Sequence, residues 1–101
     1  MFAVRFSVGV ERDLRALRAY DQTLVLDAIE EQLTHRPDVA TRRRKMLEDI
    51  TAPEEWAAAP PIWQLRVGAF RVFYDVDREK QVVWVRAIRR KPAHKTTGEI
   101  L

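Results

Sequence analysis

The chain has no cysteine, only two histidines and only three glycines in 101 residues. Without cysteine there is neither a disulfide framework nor a thiolate zinc site. His35 and His94 are too few for a metal cluster, so no metal and no cofactor are expected. No apolar run approaches the roughly 20 residues that a membrane-spanning helix needs. The N-terminal stretch MFAVRFSVGVERD has neither the long apolar region nor the small-residue cleavage site of a signal peptide. The expectation from these absences is a cytoplasmic protein with no membrane partner.

What is present is ordinary in amount and uneven in placement. Hydrophobic residues make up 47% and charged residues 33%, with a net charge of +3. This length predicts a single domain spanning residues 1–101. Arg42, Arg43, Arg44 and Lys45 form one basic cluster, and Arg86, Arg89, Arg90, Lys91 and Lys95 a second. Such clusters attract phosphate backbones or an acidic partner, or simply form a solvated surface.

Residues 2–8 alternate, with Phe2, Val4, Phe6 and Val8 on one side, and predict a strand ended by Gly9. Val10, Leu14 and Leu17 then recur at helical spacing. Asp21 is the expected N-cap of a second helix, whose apolar face is Val25, Ala28, Ile29 and Leu33 and which Pro37 stops. Between residues 38 and 62 the pattern is irregular: Met46, Leu47 and Ile50 predict a turn or so of helix, and Trp56 reads as a structural plug. From Trp63 the period becomes two. Gly68-Ala69 suits a two-residue hairpin loop with glycine at its first central position. Residues 77–80 form a polar turn before the strand QVVWVRAI. The predicted fold is α+β: a strand, a helical hairpin, then a three-stranded antiparallel meander, with the helices packed on one face of the sheet.

One parity of the meander (Trp63, Leu65, Val67, Val72, Tyr74, Val76, Val83, Val85, Ala87) is an uninterrupted core face. The other is mixed: Gln64, Arg66, Arg71, Phe73, Asp75, Val82, Trp84, Arg86 and Ile88. Arginines interleaved with aromatics suit an anionic ligand, because guanidinium forks read phosphate and exposed rings stack unpaired bases. Phe73 and Trp84 could equally be a cross-strand pair or lie under the C-terminal tail.

The run Leu65-Arg66-Val67-Gly68, then Phe70-Arg71-Val72-Phe73-Tyr74-Asp75-Val76, then Val82–Lys91 resembles the signature of the RelE/ParE superfamily of bacterial toxins. The order of the preceding strand and hairpin agrees with it. The resemblance implies a toxin, monomeric when alone, that is neutralised by a cognate antitoxin. For RelE-like members it implies a metal-independent endoribonuclease that cuts mRNA on the ribosome. Carried onto this chain, Arg71 stands at the scissile phosphate and Arg90 or Lys91 supplies a second cation. Arg66, Arg86, Arg89 and Lys95, with Phe73 and Trp84, are the expected RNA-binding set. His94 is the tail residue with a near-neutral intrinsic pKa, a candidate general base or acid. Ile62 and Gln64 occupy positions where RelE has lysines, and Thr96 and Thr97 stand where its tail has a tyrosine. Those departures point to the alternatives: a ParE-like inhibitor of DNA gyrase without nuclease activity, or a family member that retains only partner binding.

Overall fold

The computed structural model describes all of residues 1–101. The chain runs β1 (Ala3–Phe6), α1 (Val10–Arg15), α2 (Ala19–Leu33), β2 (Arg44–Leu47), β3 (Ile62–Val67), β4 (Phe70–Asp77), β5 (Val82–Arg90) and α3 (Thr97–Ile100), with a 3₁₀ turn at Glu54–Trp56. The strands form one sheet in the order β1-β5-β4-β3-β2. β2 to β5 are an antiparallel meander, and β1 lies parallel to β5. No helix is long and apolar enough to cross a membrane.

The helices cover one face. Val25, Ala28, Ile29 and Leu33 of α2 meet Leu65, Val72, Tyr74, Val83 and Val85 of the sheet in the main core. α2 begins at Ala19, two residues before the expected cap, with Arg18 in the cap position. Asp21 therefore sits at the third helical position, where a carboxylate complements the helix dipole, and accepts from Arg18 at 3.3 Å. α2 also ends at Leu33, before Pro37. Arg36 takes a left-handed φ of 48°, and the buried Pro37 carbonyl accepts the Tyr74 hydroxyl at 2.7 Å.

That hydroxyl links the core to pH. Burial pushes the Tyr74 pKa well above its ordinary value; Arg44 opposes the shift and Asp38 adds to it. The folded state thus holds this proton more tightly than the unfolded chain. The resulting stability is full below the unfolded tyrosine value of about 10 and is lost as pH rises from there through the folded value. Urea midpoints are expected to fall above about pH 10, and to fall less steeply in Tyr74→Phe. Parallel slopes for the two proteins would contradict this assignment.

Three features depart from the sequence reading. Met46 and Leu47 lie in the edge strand β2, which pairs with β3 (Arg44↔Leu65, Lys45↔Gln64, Met46↔Trp63, Leu47↔Ile62), and not in a helical turn. The meander therefore has four strands. The strand Arg44–Leu47 has no β-branched or aromatic residue and so little strand propensity; the β3 edge supplies the ladder that decides its conformation. Second, the register slips between Phe73 and Tyr74: Phe73 pairs with Ala87 but Tyr74 with Val85, leaving Arg86 as the extra residue of a bulge. Beyond the bulge the alternation inverts. Ile88 joins the main core and Ala87 moves to the opposite face.

Third, that opposite face is partly roofed. Trp56, Ile62, Phe73 and Ala87 form a second core, with Leu47, Ala52, Ala58, Ile100 and Leu101 packed around it. The Trp56 ring packs tilted against Phe73 at 5.4 Å between ring centroids. Phe73 is fully buried, so its ring has no face left for a nucleotide base.

Candidate functional site

The β3–β4 hairpin carries the two arginines that alternation alone does not explain. Val67 pairs with Phe70, and Gly68 supplies the positive φ of 57° at the first loop position. This tight loop sets Arg66 directly opposite Arg71. Like charges facing each other across a ladder are destabilising, and no carboxylate relieves them. Desolvation lowers the Arg71 pKa, and the charge of Arg66 lowers it further. The Arg71 guanidinium is held by the carbonyls of Gly68 and Phe70 at 2.8 and 2.9 Å. It is oriented without being neutralised.

The chain returns to this point twice. The Lys91 amide donates to the Ala69 carbonyl at 2.7 Å, which pins the start of the tail beside the hairpin loop. On the other side, Arg66 N–H donates to the Arg43 carbonyl at 2.8 Å, bringing the approach to β2 alongside. The Thr41 hydroxyl accepts from the amides of Arg43 and Arg44 and fixes that approach. The result is a cleft of about 250 Å³ with ten lining residues. Seven are basic residues: Arg42, Arg43, Arg44, Lys45, Arg66, Arg71 and Lys91. The other three are Thr41, Gln64 and Thr97, so no acid and no apolar side chain lines it. The Arg44 guanidinium turns to the other face, where it donates to the Val39 and Gln32 carbonyls, which leaves six cations for the cleft. All five ion pairs of the protein lie elsewhere. Glu99 is held below the usual carboxylate range chiefly by the Thr96 amide and hydroxyl, with a smaller contribution from the charge of Lys91.

Of the residues singled out in sequence, Arg66, Arg71 and Lys91 come together in this cleft. The rest do not. Arg90 points to the other side of β5, its guanidinium 4.9 Å from the centre of the Phe70 ring. His94 and Lys95 are exposed in the turn before α3 and line no cleft. Arg86 is bound to the buried Asp75 carboxylate at 2.7 and 3.3 Å and lies over the Trp84 ring. Arg89 pairs with Asp13 at 2.9 Å. Arg86 and Arg89 line a different cleft of about 370 Å³, shared with Asp13, Glu55 and Trp56. Trp84 is half-buried, and Phe73 is enclosed. Arg42, Arg43 and Lys45 were legible only as a basic run; the pairing of β2 brings them to the hairpin.

Chemically, the cleft concentrates positive charge that no lining acid and no ion pair neutralises. An anion with several charged oxygens relieves that repulsion, and a phosphodiester backbone fits both the volume and the arginine forks.

Residues 4–91 match the family described as "ParE toxin of type II toxin-antitoxin system, parDE". The chain therefore belongs to the ParE toxin family of type II toxin–antitoxin systems, within the RelE/ParE superfamily. No curated protein matches its sequence. Among solved structures, it is similar to the RelBE2 toxin–antitoxin complex of Mycobacterium tuberculosis, with a TM-score of 0.70 at 23% identity over 89% of this chain and 91% of that one. The archaeal RelE–RelB complex of Pyrococcus horikoshii OT3 gives 0.67 at 17% identity, covering 94% and 98%. The isolated RelE toxin of E. coli gives 0.60 at 15% identity, covering 98% and 94%. At these identities the likeness establishes the shared fold.

Proposed function

We infer that this toxin arrests translation by cutting mRNA on the ribosome, with the Arg71 cleft as its working surface, and that a cognate antitoxin neutralises it. The observation that carries the reading is the acid-free cleft, in which Arg71 is oriented by two carbonyls and accompanied by Arg66 and Lys91. The antitoxin partner is supported by family membership and by two similar structures that are toxin–antitoxin complexes.

In the proposed reaction the ribose 2′-oxygen attacks the adjacent phosphorus and the bond to the 5′-oxygen breaks. A 2′,3′-cyclic phosphate and a 5′-hydroxyl result. Arg71 and Lys91 face the negative charge that develops on the phosphate oxygens, and Arg66, Arg42 and Lys45 hold the flanking backbone. The cleft offers no carboxylate or imidazole; the 2′-proton passes to water and the 5′-oxygen takes one back. His94, outside the cleft, is given no part.

A second reading is favoured by the ParE family match and by that same lack of a general base: a non-nuclease toxin that inhibits DNA gyrase. A cell-free translation reaction separates the two. Purified toxin is expected to produce new primer-extension stops within translated codons, only when ribosomes are engaged on the message. Intact mRNA together with inhibited supercoiling by purified gyrase would overturn the nuclease reading in favour of the second.

A further inference from the structure

Gln64 is a polar side chain in the middle of β3 that is only 5% exposed and yet lines the cationic cleft. Its amide oxygen Oε1 accepts the Thr97 hydroxyl at 2.9 Å. The amide nitrogen Nε2 has no acceptor in the protein. It is not enclosed either, since the one enclosed side-chain polar atom without a partner is Asp38 Oδ1. Nε2 therefore opens on the cleft and presents N–H donors on a neutral group.

The orientation of this amide is not what its surroundings alone would select. Side-chain dipoles turn in the local field, and among Arg66, Arg71 and Lys91 an unrestrained amide would turn its carbonyl toward the cations. That would show an acceptor to an incoming anion. Here Oε1 instead accepts from the Thr97 hydroxyl, which leaves Nε2 on the cleft side. Thr97 is the first residue of α3, which the Thr96–Glu99 capping box starts and which Ile100 and Leu101 seat against the second core.

We propose that Gln64 is a ligand-binding residue of the cleft, donating from Nε2 to a non-bridging oxygen of a bound phosphodiester, and that Thr97 is its positioning residue. The inference rests on the phosphate-directed reading of the cleft. The cations attract an anion from any direction; the amide N–H is directional and fixes how the phosphate sits.

The test is the affinity of the purified protein for a short fluorescein-labelled single-stranded RNA, followed by anisotropy at fixed salt. It uses wild type, Arg71→Ala, Gln64→Leu, Thr97→Val and the Gln64→Leu/Thr97→Val double variant, each below its own thermal midpoint. Loss of one hydrogen bond to a charged oxygen is expected to weaken Gln64→Leu about tenfold. Thr97→Val is expected to weaken binding in the wild-type background and to add nothing once Gln64 is leucine. Wild-type affinity in Gln64→Leu, with Arg71→Ala weakened, would overturn the role of Gln64 and leave the cleft reading standing. An equal loss from Thr97→Val in both backgrounds would show that Thr97 acts through the fold alone and overturn its positioning role. RNA binding that is absent, or unaffected by Arg71→Ala, would overturn both the inference and the reading beneath it.

Discussion

Arg71→Ala is expected to lower mRNA cleavage, and with it toxicity on induced expression, by a hundredfold or more, on the scale of removing one preorganised charge-stabilising group from an active site (about 2.7–4 kcal/mol). The size follows from its setting. Arg71 is half-buried, its guanidinium is already fixed by the Gly68 and Phe70 carbonyls, and no ion pair competes for it. Binding a phosphate there costs little reorganisation. The side chain does not contribute to the hydrophobic core, and removing it relieves the repulsion with Arg66. The variant should therefore unfold at or above the wild-type urea midpoint and still bind the antitoxin. Arg71→Lys is expected to recover only part of the activity, because an ammonium keeps the charge but not the planar fork. Full toxicity in Arg71→Ala, with expression matched, would remove the cleft from the account.

The second large effect is on stability. Phe73→Ala is expected to cost about 3–5 kcal/mol, the range for truncating a buried aromatic, out of a total of about 5–15 kcal/mol for a domain. Phe73 is the centre of the smaller core: it lies under Trp56 and shares its cluster with Ile100 and Leu101. Its loss leaves the C-terminal helix without a seat, and that helix carries Thr97 into the cleft. Phe73→Leu, which keeps most of the apolar volume, should retain both the fold and RNA affinity. A Phe73→Ala variant as stable as wild type, or a Phe73→Leu variant that is stable but has lost RNA affinity, would instead make this ring a contact surface.

These two residues also mark how far the sequence could be read. The hairpin was legible because Gly68 sits where the tight loop needs a positive φ and the flanking residues alternate strictly; that placed Arg66 and Arg71 on one face. The choice between Arg90 and Lys91 was not legible. Counting by twos from Trp84 puts Arg90 toward the cleft. The bulge at Arg86 adds one residue and turns Arg90 toward Phe70, bringing Lys91 to the hairpin instead. A bulge inside a valine-rich strand has no local signature when the extra residue is an arginine.

Phe73 was misread as a candidate stacking ring for a related reason. Its cover comes from Trp56 and from the last two residues of the chain, far away in sequence, through segments with no regular period. Arg86 and Arg89 are removed from the cationic surface by Asp75 on the neighbouring strand and by Asp13 of α1. Charge clusters in a sequence show the supply of cations; the free ones are decided by which carboxylates the fold brings near. The basic run 42–45 is the opposite case. Its pattern left a phosphate-binding, an acidic-partner and a solvated-surface reading open, and strand pairing with β3 brings Arg42, Arg43 and Lys45 to the wall of the cleft.

The measurement that bears most directly on the central claim is a transcriptome-wide map of mRNA 5′ ends after induced expression without antitoxin, compared with Arg71→Ala expressed to the same level. The expected result is growth arrest with new 5′-hydroxyl ends inside translated codons, absent from the variant. Arrest with an unchanged map, or the same new ends in both, would contradict the assignment of the Arg71 cleft to the scissile phosphate.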